Sequence, residues 1–134
     1  MKADTIRLTF SDRFDGEMVS PTGTVPLGRR DQGVAPYHLL FGALGSCFYA
    51  TFLSVAEKMR LSFAGVSLEV SGEKRDEVPA TLKSVTIRFV IRDGSDEDKL
   101  RQAAELGAKY CSIHRTVSKV AQIALDVSFE TTEK

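Results

Sequence analysis

The chain has 134 residues, 43% of them hydrophobic, which is the size of one domain (1–134) able to bury a core without disulfide or metal staples. Its 18 basic residues balance 18 acidic ones, so no strong field favours nucleic acid or an anionic membrane, and neither is expected as a partner. The opening MKADTIRLTF lacks the apolar core of a signal peptide, which points to a cytoplasmic protein. In that compartment thiols stay reduced, and a bridge between the two cysteines, Cys47 and Cys111, would be transient or catalytic.

Ile6, Leu8 and Phe10 alternate with Thr5, Arg7 and Thr9, the period of a strand with one buried face. Asp15-Gly16 reads as a turn, followed by short strands over Glu17 to Ser20 and Thr24 to Leu27 around Pro21-Thr22-Gly23. After a polar loop from Gly28 to Gly33, Pro36 opens a long helix running to about Met59. No charge occurs from Leu39 to Ala56, the composition of a membrane span. The segment nevertheless carries Gly42, Gly45, Ser46, Thr51 and Ser54, and its neighbours are patterned for half-buried sheet. A central buried helix is therefore expected, with Gly42 and Gly45 allowing close approach of another helix.

Val66, Leu68 and Val70, then Val85, Ile87, Phe89 and Ile91, alternate as the two arms of a hairpin. Ser95, followed by Asp96, Glu97 and Asp98, is the expected cap of a helix to about Tyr110. Ser112 is the expected cap of a short helix to Val120, and Ile123 to Phe129 alternate as a last strand. The order β-β-β-α-β-β-α-α-β predicts an α+β fold with a mostly antiparallel sheet covered by helices.

Cys47 lies about eleven residues, or roughly 16 Å, into the long helix, too far from its start for that helix's dipole to act. Leu40, Ala43, Leu44, Ala50, Thr51 and Ser54 share its side of the helix, and apolar surroundings alone raise a thiol pKa. An activating cation would have to come from elsewhere in the fold. His38 lies about 180° away around the helix and is excluded as its base. Cys111 stands before a helix start, where free amides favour a thiolate, so local physics favours Cys111. The competing account makes both cysteines small core hydrophobes. His114, three positions after Cys111, shares its helical face, but further ligands are lacking, so neither metal nor cofactor is expected.

Ala35-Pro36-Tyr37-His38-Leu39-Leu40-Phe41-Gly42-Ala43-Leu44-Gly45-Ser46-Cys47 and Lys109-Tyr110-Cys111-Ser112-Ile113-His114-Arg115-Thr116-Val117 together resemble the two cysteine motifs of the OsmC/Ohr family of thiol-dependent hydroperoxide reductases. The resemblance implies an OsmC-like fold in an intertwined homodimer, with Cys47 peroxidatic and Cys111 resolving. It also implies an arginine that holds the thiolate and the peroxide, a role that falls to Arg13 in Asp12-Arg13-Phe14-Asp15-Gly16, with Arg29 and Arg30 in reserve. Tyr37 replaces the family's glutamate after the helix-starting proline, and Ser112 replaces the common proline of the second motif.

The function expected is reduction of organic hydroperoxides in an oxidative stress response, reset by a dithiol or lipoyl-type reductant. Leu40, Leu44 and Phe48, with Tyr37, Arg29 and Arg30, are the expected substrate contacts, the apolar ones favouring alkyl hydroperoxides. The alternative is a non-catalytic pocket protein of the same fold that binds a small apolar or acyl ligand. A cysteine hydrolase with His114 as base lacks a nucleophile elbow.

Overall fold

The structure is a computed structural model and describes residues 1–132. The elements follow the expected order: β1 (Arg7–Phe10), β2 (Asp15–Val19), β3 (Thr24–Gly28), α1 (Pro36–Lys58), β4 (Gly65–Lys74), β5 (Leu82–Arg92), α2 (Glu97–Tyr110), α3 (Ser112–Ser118) and β6 (Gln122–Glu130). The chain groups into two compact units, Met1–Leu40 and Phe41–Lys134. Their boundary falls inside α1, which is why no linker composition marks it.

In the first unit β1, β2 and β3 form an antiparallel meander. Asp15 and Gly16 are strand residues rather than the expected turn. The reversal comes earlier, where Ser11 Oγ donates to Asp15 Oδ1 at 3.0 Å and accepts from the Arg13 N–H at 3.0 Å. A short side chain that satisfies the backbone locally makes Ser11 to Phe14 the turn. Gly28 ends β3 at φ +83°, and a Cβ there would strike the Phe14 carbonyl, so this position requires glycine. Leu8 and Phe10 stay about half exposed, against the buried face expected of them. They line an apolar hollow of about 160 Å³ with Phe14, Leu27, Val34, Pro36 and Leu39.

In the second unit β4 and β5 form the expected hairpin, and β6 joins β5 in parallel. A parallel partner requires a crossover, supplied by α2 and α3. The registers bring Leu68, Phe89 and Val127 into one row across the sheet, and Val70, Ile87 and Leu125 into the next. Alternation in β5 buries Val85, Ile87, Phe89 and Ile91 almost completely, making this the central strand of the core. The opposite face is polar and carries the exposed Arg88–Glu69 ion pair at 3.6 Å, which adds little stability.

Within α1, Leu44, Phe48, Phe52 and Ala56 recur every fourth residue and form a buried stripe, while Ser46, Ala50 and Ser54 are exposed. By length and composition α1 is long enough and apolar enough to cross a membrane. Its buried stripe instead packs on the sheet, where Phe48 and Phe52 meet Phe89 edge-on at 5.0 and 4.8 Å. Gly45 approaches β4, since a Cβ there would lie 3.2 Å from Val70 Cγ2. The close approach expected from a second helix at this glycine is thus made by a strand. Gly107 of α2 provides the close helix crossing, over the backbone of Phe52.

The cap of α2 is Asp96, whose side chain accepts from the Lys99 N–H at 3.1 Å. Ser95, the expected cap, instead accepts from the Ser62 N–H at 3.1 Å and ties down the loop after α1. The cap of α3 is Cys111 rather than Ser112, and its sulfur accepts from the His114 N–H at 3.4 Å.

Candidate functional site

The two cysteines, 64 positions apart in sequence, meet in the second unit as free thiols. Cys47 is on the edge of the α1 stripe and half-buried, whereas Cys111, at the α2–α3 corner, is fully buried. The β5-α2-α3-β6 crossover brings this corner to α1, and the Gly107 crossing permits α2 to lie close enough. Cys47 Sγ stands 4.0 Å from Ser112 Oγ.

The electrostatics reverse the preference drawn from local sequence. Burial pushes the Cys47 thiol pKa up, but hydrogen bonds from the Ile113 N–H, the Cys111 thiol, and the Ser112 hydroxyl and N–H together outweigh it, and the net shift is downward. For Cys111 burial is again the largest cause and raises the pKa. The His114 and Ile113 amides oppose it, while donation to Cys47 and the charge on Cys47 reinforce it, leaving Cys111 raised. The free amides expected to activate Cys111 therefore activate Cys47 as well. Cys47 lies mid-way along α1, and the residues at the start of α3 supply the dipoles that lower it. The arrangement makes Cys47 the more acidic of the two thiols.

His114 is half-buried, and its pKa is lowered by burial first and by the neighbouring Arg115 charge second. His38 caps α1 by accepting from the Ala35 N–H at 2.9 Å through Nδ1. No group of three or more His, Cys, Asp or Glu side chains among the described residues is placed to hold a metal ion.

Of the expected substrate contacts, Leu44 and Phe48 are 1% and 0% exposed. Both pack in the core under the sheet. Leu40 is exposed and Tyr37 half-buried. The three candidate arginines all belong to the first unit. Arg13 and Arg29 line one hollow of about 430 Å³ with Phe14 and Asp15. Arg30 donates to the Gly16 carbonyl at 3.1 Å.

Sequence reasoning missed the Ser112 hydroxyl and the amides beside it as partners of Cys47. The available signal was the polar residue directly after Cys111 at a helix start, read there as a cap for its own helix.

A family model described as OsmC-like protein matches residues 29–126, a span that includes both cysteines. The chain belongs to the OsmC-like family. Protein YhfA of Escherichia coli strain K12 is 24% identical over 95 residues, covering 69% of this chain and 71% of that protein. A hypothetical protein from Aquifex aeolicus VF5 has a similar structure, with a TM-score of 0.88 at 22% identity, covering 99% of this chain and 100% of the other. The organic hydroperoxide resistance protein OsmC from Legionella pneumophila matches with a TM-score of 0.75 at 14% identity, covering 96% and 98% of the two chains. At these identities the structural likeness establishes the OsmC-like fold.

Proposed function

We propose that the chain is a thiol-dependent peroxidase that reduces organic hydroperoxides. The observation that carries this reading is that two free thiols meet at the start of α3, with Cys47 Sγ 4.0 Å from Ser112 Oγ and Cys111 Sγ accepting from the His114 N–H at 3.4 Å; Cys47 is the one whose pKa is lowered. Membership of a family that includes a hydroperoxide resistance protein supports it. The Cys47 thiolate attacks the terminal peroxide oxygen, the O–O bond breaks, and the alkoxide leaves and takes a proton to become the alcohol. Cys47 is then a sulfenic acid. Attack by the Cys111 sulfur forms the S–S bond and expels the hydroxyl as water, with the Cys111 proton. A cytoplasmic dithiol or lipoyl-type reductant returns both sulfurs to thiols.

In this reading the working form is a homodimer, and an arginine holds the peroxide. Arg13 and Arg29 are better suited than Arg30, whose guanidinium is engaged by the Gly16 carbonyl. The cation orients substrate rather than creating the thiolate, because amides and hydroxyls already favour ionised Cys47. A preference for alkyl groups would rest on Leu40 and Tyr37, since Leu44 and Phe48 are withdrawn into the core.

The test mixes reduced protein with a stoichiometric organic hydroperoxide and follows thiol loss and intact mass. Two thiols should be lost to one internal disulfide, and Cys47→Ser should abolish it. Unchanged thiols across physiological pH would exclude the reading. The second reading, a pocket protein for a small apolar or acyl ligand, is favoured by the apolar hollow of Leu8, Phe10, Phe14 and Leu27. Saturable binding of such a ligand by a chain whose thiols ignore peroxide would select it.

A further inference from the structure

Ser112 occupies the first position of α3, where a hydroxyl has a capping duty only if no other group performs it. Here the Cys111 sulfur takes that role by accepting from the His114 N–H at 3.4 Å. The Ser112 carbonyl accepts from Thr116 Oγ1 at 3.1 Å, while its hydroxyl is turned to Cys47 Sγ, 4.0 Å away. A thiolate only accepts hydrogen bonds, so once Cys47 ionises the hydroxyl must be the donor across this contact. The hydroxyl is thus presented to Cys47 and not to its own helix cap.

We infer that Ser112 is a further residue of the reactive centre, its hydroxyl donating to the Cys47 sulfur and holding it as the reactive thiolate. The inference deepens the peroxidase reading, but its test is independent of peroxide. Alanine removes the hydroxyl, and threonine keeps it.

The experiment is the pH dependence of Cys47 alkylation by iodoacetamide in the full reduced chain. Modification is assigned to Cys47 by peptide mass, and circular dichroism confirms the fold of each variant. In Ser112→Ala the midpoint should move upward and the rate near neutral pH should fall about threefold, the effect of one long hydrogen bond to a charged acceptor. Ser112→Thr should keep the wild-type midpoint, which a merely packing role for the side chain does not require. An unchanged midpoint in Ser112→Ala, or a Ser112→Thr variant that behaves as alanine, overturns the inference. Inert thiols toward peroxide alongside a shifted alkylation midpoint would remove the peroxidase reading and leave the role of Ser112 standing.

Discussion

Replacing Gly107 with alanine tests the helix crossing that brings the thiols together. The added methyl would stand 3.0 Å from Phe52 Cα, 3.1 Å from its Cβ and 3.1 Å from its backbone nitrogen. Those atoms belong to the α1 backbone and the root of a fully buried side chain that meets Phe89 edge-on at 4.8 Å, so they have little room to yield. The α2 helix must lift by a few tenths of an ångström. Overpacking of this kind costs about 1–3 kcal/mol, and the higher helix propensity of alanine returns up to about 1 kcal/mol. From the middle of the overpacking range, about 2 kcal/mol, the net loss is about 1–2 kcal/mol, a fall in Tm of roughly 4–7 °C for a chain of this length. Cys111 closes α2 four residues after Gly107, and Cys47 lies five before Phe52, so the same displacement separates the sulfurs and slows their disulfide. Thermal melting by far-ultraviolet circular dichroism and the rate of peroxide-driven disulfide formation measure the two effects. A Tm at or above that of the wild type with an unchanged disulfide rate would refute the argument from close crossing.

Asp96→Ala removes the acceptor for the Lys99 N–H at the start of α2 and should cost about 1 kcal/mol, read as a lower urea midpoint. Phe48→Ala should cost about 3–5 kcal/mol, because this ring is fully buried against Phe89. Unchanged stability with a raised KM for alkyl hydroperoxide would return Phe48 to the substrate contacts. The two thiols should link stability to pH in opposite directions. A depressed folded-state pKa makes the Cys47 contribution full above its unfolded pKa, near 8.5, and lost as pH falls through the lower folded value. A raised pKa makes the Cys111 contribution full below its unfolded value and lost as pH rises through the higher folded one. Urea midpoints under reducing conditions should therefore show the advantage of wild type over Cys47→Ser growing with pH and that over Cys111→Ser shrinking. Parallel trends would contradict the assignment of thiolate and thiol.

Elements whose periodicity expresses burial are legible in the order of residues alone. Residues Val85 to Ile91 alternate because one face of β5 meets the helices and the other meets water, and that pattern is local. The long apolar run of α1, the order of elements and the two cysteine motifs were legible for the same reason: each is written in neighbouring residues. Other features depended on partners distant in the chain. Asp96 displaced Ser95 as a cap once Ser95 bonded to Ser62, 33 positions away. The parallel pairing of β6 with β5, the withdrawal of Leu44 and Phe48 into the core, and the shared hollow of Arg13 and Arg29 are likewise tertiary outcomes. The ranking of the cysteines was decided there too. Local sequence assigned the free amides before α3 to Cys111, but folding turned part of that potential onto the sulfur of another helix and buried Cys111 behind it. A thiol's acidity follows the dipoles and solvent around it, and for Cys47 the dipoles that lower it come from residues 64 to 66 positions further along the chain.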